Sequence, residues 1–138
     1  MKTNIKDKTQ PQFAHKTIEW TGKSGKKYYS VWTRGAKIQG RPSGNFLHVK
    51  VKEDGNLEPV YISQTDNLNR RILSPDEQEC IDATGATQIH IRTNYKGEQD
   101  RIAEVADLVA RWLPVCNFSP RMVSVRRGFV ELARTKLR

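Results

Sequence analysis

Tyr61 lies in the run Pro59-Val60-Tyr61-Ile62-Ser63, and ten residues later the chain sets Arg71 directly after Arg70. A basic pair beside a strand suits a phosphate, because the planar guanidinium fork matches two phosphate oxygens. His48, in a strand pattern of its own, has a structural role or stands near such a site as a proton relay. Glu104, with Asp107 and Arg111 close by, fits a solvated charge row as well as it fits a carboxylate ligand for a hard cation. Asn117, three residues after Pro114, can cap a turn. Each residue also has a plain structural reading: Tyr61 as a strand tyrosine with its hydroxyl at the surface, and Arg70-Arg71 as a solvated helix face. His90 and the three tryptophans, Trp20, Trp32 and Trp112, are expected to be structural, with Trp112 in the core. Gly22-Lys23-Ser24-Gly25 echoes a phosphate loop but lacks the G-x-x-x-x-G-K-[ST] spacing and a following helix pattern, which excludes that reading.

The elements that must position these side chains follow from patterning. Residues 1–14 are polar and aperiodic and are expected to form a mobile basic arm. Residues 15–42 hold an N-terminal β-hairpin, with Thr17–Trp20 and Lys27–Trp32 as its strands. A second hairpin pairs Phe46–Val51 with Pro59–Ser63 across an Asp54-Gly55 turn. Thr65-Asp66-Asn67 caps a short helix over Leu68–Ile72. Ser74-Pro75-Asp76-Glu77 carries an N-cap serine, a proline at the first helical position and a glutamate at the third, so a helix should run to about Thr84 and stop at Gly85. Thr87–Arg92 alternates as a strand. From Glu98 to Leu113, Ile102, Val105, Val109 and Trp112 recur at helical spacing and mark the expected buried stripe. A strand over Met122–Val125 and a helix over Phe129–Leu137 complete an α+β reading, a small mixed or antiparallel sheet flanked by helices.

The chain has 138 residues, with 24 Lys and Arg against 15 Asp and Glu, for a net charge of +9. The excess is uneven. Residues 1–41 carry ten bases against Asp7 and Glu19, the last eighteen carry six against Glu131, and the middle carries eight against twelve acids. Basic flanks around a mildly acidic centre favour a polyanionic partner, nucleic acid above all. No run approaches the ~20 apolar residues that a membrane span requires. The N-terminal stretch also lacks the apolar block of a secretory signal, so a cytoplasmic location is expected. Cys80 and Cys116 have apolar neighbours and no metal-ligand spacing, and are expected to be reduced, buried thiols.

Residues 43–118 resemble the GIY-YIG endonuclease family, with several motifs in order. Gly44-Asn45-Phe46 is similar to the first name motif and Tyr61-Ile62-Ser63 to the second. Arg71 falls where the family has its arginine, and Gly85–Ile91 resembles the third strand. Glu104–Asn117 resembles the closing helix with its terminal asparagine. The resemblance implies a metal-dependent hydrolase of phosphodiester bonds in nucleic acid, with DNA the expected substrate. Tyr61 would help activate the attacking water, Arg71 would hold the scissile phosphate, and Glu104 would bind one magnesium or manganese ion. His48, from its strand position and not from the resemblance, is a further catalytic candidate as a proton relay. Asn117 would brace the site, with Phe46 and Ser63 as structural neighbours. Arg70, Lys26, Lys27, Arg126 and Arg127 are candidate backbone contacts. Three positions depart from the pattern. Phe46 replaces a tyrosine, Ser63 replaces a glycine, and spacing from Asn117 puts the metal ligand at Val105, a helix rotation of about 100° from Glu104. Those departures motivate two alternatives, a binder of nucleic acid that does not cut it and a basic protein-interaction module.

Overall fold

The computed structural model describes residues 17–118. The N-terminal arm, the strand and helix expected beyond residue 120, and Arg126 and Arg127 lie outside the described residues. Strand-forming runs, alternating in β2 and buried on both faces through the middle of β3 and β4, form two hairpins, β1 (Ile18–Thr21) with β2 (Lys27–Trp32) and β3 (Gly44–Val51) with β4 (Leu57–Thr65). A fifth strand, β5 (Gln88–Thr93), pairs with both β2 and β3, giving the order β1-β2-β5-β3-β4. Every pairing is antiparallel, so the sheet is not mixed, and the N-terminal hairpin continues it. Gly44 is required where β3 meets β5: a Cβ there would stand 2.0 Å from the Arg92 carbonyl oxygen, a backbone atom that cannot swing away.

Opposite sheet faces are covered by different helices. Phe46, Tyr61 and Ile91 point to the face covered by α1 (Pro75–Thr84), which contributes Cys80 and Ile81. Leu47, Val49 and Ile62 point to the face covered by α2 (Glu98–Trp112), which contributes Leu108. Between β3 and β4 the register slips, so that His48 faces Tyr61 while Val49 faces Pro59. Val60 is the extra residue of a bulge and points with Tyr61 into the α1-side core. Helix α1 begins on the capping box read from the sequence, with Ser74 and Glu77 bonded reciprocally, and ends on a left-handed Gly85. Where a short helix over Leu68–Ile72 was expected, a 3₁₀ turn over Leu68–Arg70 forms, because Arg71 is already extended.

The expectation of reduced thiols is corrected. Cys80 on α1 and Cys116 on α3 (Val115–Phe118) form a disulfide, their Cα atoms 5.9 Å apart, although 36 positions separate them in sequence. The chain's return across the α1 face brings them together, and no local spacing announces it. α3 also finishes the sheet. Edge strand β4 leaves backbone groups unpaired, and Asn117 takes both at Ile62, accepting from its N–H at 2.7 Å and donating to its carbonyl at 2.7 Å.

The buried stripe of α2 is also rotated from its expected position. Arg101, Glu104 and Leu108 are buried, Val105, Val109 and Trp112 pack at the margin, and Ile102 is 42% exposed. Two charged residues occupy the inner face because the sheet supplies partners for them.

The N-terminal hairpin is docked on α2 by Asp107. Its carboxylate accepts from the Ser24 hydroxyl at 2.7 Å, the Ser24 N–H at 2.9 Å and the Tyr28 hydroxyl at 2.8 Å. Gly22 makes room, since a Cβ there would stand 2.1 Å from the same carboxylate. Burial and Asp107 together push the Tyr28 phenol up to about 12. Trp112 donates to the Thr21 carbonyl at 3.0 Å and meets Trp20 edge to face. Asp107→Ala should therefore cost about 1–2 kcal/mol by removing the three hydrogen bonds that dock the hairpin on α2. In hydrogen exchange, β1 and β2 amides should lose protection while those of β3 and β4 keep it; uniform loss would show that the hairpin is not a separately docked unit.

Candidate functional site

The expected metal ligand is committed elsewhere. Glu104 is 6% exposed and both of its oxygens are engaged on the α2 side of the sheet. Arg92 on β5 approaches in a fork, Nε to Oε1 and Nη2 to Oε2, each at 3.1 Å, and Asn45 Nδ2 donates to Oε1 at 2.6 Å. Arg92 lies in turn over the Tyr28 ring, 5.4 Å from its centroid. A divalent ion at Glu104 would meet a guanidinium already in place, so this carboxylate does not fit the magnesium or manganese the family resemblance implies. Among the described residues, no group of three or more His, Cys, Asp and Glu side chains gathers as a metal site.

Tyr61, His48 and Arg71 share the other face. The rings of Phe46, His48 and Tyr61 form a cluster with centroids 5.9–6.2 Å apart. The Tyr61 hydroxyl donates to Glu77 Oε2 at 2.8 Å, a partner that arrives from the first turn of α1. Glu77 therefore closes the capping box with one oxygen and holds Tyr61 with the other. Burial, reinforced by Glu77, pushes the Tyr61 phenol up to about 12, so it keeps its proton at neutral pH. That state suits a donor and not the water-activating base the resemblance implies. Burial, with Arg71 nearby adding to the effect, lowers His48 to about 4, and its Nε2 has no partner. Arg71 is held by its donation to the Leu68 carbonyl. Alternation along β3 sends Asn45 and Phe46 to opposite faces, and so separates Glu104 from Tyr61. The fold thus gathers Tyr61, His48, Phe46 and Arg71, places Asn117 on the β4 edge, and leaves Glu104 across the sheet. Glu77 was not singled out from the sequence; its position as the third residue after a capping serine explained it fully.

Where β3 begins and β4 ends, the sheet opens on a cleft of about 180 Å³ lined by Arg41, Phe46, Ser63, Asn67 and Arg70 among others. The connector before β3 forms one wall. Asn69 fixes it by bonding the Ile38 N–H at 3.0 Å and carbonyl at 2.8 Å, and Leu68 N–H donates to the Pro42 carbonyl at 2.7 Å. Arg41 reaches Asp66 at 3.5 Å with both side chains largely exposed, a pairing worth little in water. Lys26 and Lys27 lie apart from this cleft, at the β1–β2 turn, where Lys27 is 3.7 Å from Glu19.

Comparison of the chain with family models, with curated proteins and with solved structures gives no match.

Burial also lowers His90 to about 4, so two histidines are neutral in the folded protein while the unfolded chain titrates near 6.5. As pH falls through 6.5 the unfolded state gains protons first, and stability should drop by roughly 1–2 kcal/mol per histidine by pH 5. Urea midpoints should therefore fall across that window, and by about half as much in His48→Phe, whose orphaned Nε2 is removed. Equal falls in the two proteins would show that His48 is not held neutral.

Proposed function

We propose that the protein binds the phosphate backbone of nucleic acid without metal-dependent cleavage. The observation that favours binding over hydrolysis is the buried pairing of Glu104 with Arg92 and Asn45, on the sheet face opposite Tyr61 and Arg71. The phenylalanine at position 46 points the same way, since it has no hydroxyl to accept or relay a proton.

Charge distribution supports the polyanionic partner. Residues 17–118 carry 14 Lys and Arg against 13 Asp and Glu, a net of +1, so +8 of the total +9 lies in residues 1–16 and 119–138. Those terminal segments supply the long-range attraction, and the folded body supplies a cleft with Arg41 and Arg70 at its wall. Among the described residues, no helix is long and apolar enough to cross a membrane.

The test combines binding with cleavage. Fluorescence anisotropy of labelled DNA over a salt series should give a log–log slope of several negative units, about −0.9 for each phosphate neutralised on a duplex. Supercoiled plasmid incubated with magnesium, manganese or EDTA should stay uncut. Metal-dependent nicking that disappears in Arg71→Ala would restore the hydrolase reading. Absence of salt-sensitive binding would leave the protein-interaction reading instead.

A further inference from the structure

Tyr95 has no explanation in the packing of the protein. It is 67% exposed on the turn between β5 and α2, yet the backbone beneath it is tightly held. Asn94, 7% exposed, donates its N–H to the Ser43 carbonyl at 2.8 Å and accepts from the Lys96 N–H through Oδ1 at 2.9 Å. The Ser43 hydroxyl donates to the Asn94 carbonyl at 2.9 Å. A large ring carried in water on a braced turn can meet a flat, apolar partner at the cost of its own side-chain freedom alone, because the backbone beneath it is already ordered. The placement adds to this. Gly44 pairs with Thr93 on one side and Thr65 on the other, so Tyr95 and the Arg41–Arg70 cleft flank the same end of β3, following strands whose backbones lie two spacings, or about 10 Å, apart. Lys96, the next residue, is exposed.

We infer that this end of the sheet binds an unpaired strand of nucleic acid, one base stacked on Tyr95 and a neighbouring backbone phosphate in the cleft at Arg41 and Arg70. The inference rests on the nucleic-acid reading above and narrows it to single strands. An aromatic face beside a cationic groove is the combination that holds unpaired nucleotides, whereas the bases of a duplex are already stacked on one another and present no free face. Asp66 does not block the cleft, since its contact with Arg41 is exposed and yields to a phosphate that pairs with the same guanidinium.

The experiment measures anisotropy of labelled oligo-dT and of a duplex of the same length against the full chain, for the wild type, Tyr95→Ala, Tyr95→Trp and Arg70→Ala. Tyr95 is exposed, so its variants should fold, and circular dichroism checks that they do. The wild type should prefer oligo-dT. Tyr95→Ala should weaken oligo-dT binding about tenfold and leave duplex binding unchanged, while Tyr95→Trp restores it. Arg70→Ala should reduce the magnitude of the salt slope by about one contact. Equal binding of both probes, with Tyr95→Ala indifferent, would overturn the stacking site and leave the polyanion reading intact. If neither probe binds, the underlying reading fails with it.

Discussion

A carboxylate removed from water must find compensation nearly equal to the hydration it loses, and a single misplaced partner leaves it strongly destabilising. Glu104 meets that demand with a two-pronged guanidinium from β5 and an amide from β3. Much else follows from this group of three. It sets the rotation of α2, bringing Arg101 and Leu108 inward with it and turning Ile102 out to solvent. Arg101 is answered in turn by Gln64 at 2.9 Å. With α2 so oriented, Asp107 one turn on meets the first hairpin, and the five-stranded sheet gains its outer two strands. Removing Glu104 or Arg92 leaves the other without its opposite charge, the costly way to break a buried pair, whereas Asn45 adds one further bond to Oε1.

The same constraint divides the sheet chemically. One face is held by an ion pair, and the other carries the aromatic cluster, the orphaned His48 nitrogen and Tyr61 closed against Glu77. The second face has its own fastenings: the Cys80–Cys116 link joins α1 to α3, and Asn117 of α3 seals the β4 edge over Ile62. α1 is therefore fixed both at Tyr61 and at the sheet edge. The α1 carboxylate that touches Tyr61, Glu77, is already shared between the helix cap and the phenol.

What could be read from the chain divides by range. The capping box at Ser74, the stop at Gly85, the Asp54-Gly55 turn and the alternating strands depend on neighbours in sequence, and they stand where their residue types put them. The inner face of α2 could not be found that way. Hydropathy assigns Glu104 and Arg101 to solvent, and only Arg92, Asn45 and Gln64, which lie 12, 59 and 37 positions away, reverse the assignment. The disulfide and the Tyr61–Glu77 bond are likewise products of topology. The gathering of Tyr61, His48 and Phe46 was legible because it needs only a paired hairpin and the period of two. The opposed placement of Glu104 was not, because it turns on which face of the sheet the last long helix covers.

Charge and shape are apportioned to different parts of the chain, which bears on how a partner would be told apart from other polyanions. The described body is almost neutral, so its own field offers little attraction, and an exposed arginine such as Arg41, beside Asp66, distinguishes phosphate from other anions only weakly. Attraction from the terminal segments is long-ranged and indifferent to strand structure or base. Discrimination has to come from contacts that depend on geometry, and the body offers few of them at its surface. An aromatic ring on a braced turn is one, because stacking requires a base face that is free. On the proposed reading a cleft two strand spacings away would be another, by fixing how far a bound phosphate lies from that base. Nonspecific attraction and selective contact would, on the same reading, belong to separate segments, and substitution in one would change its own contribution without the other.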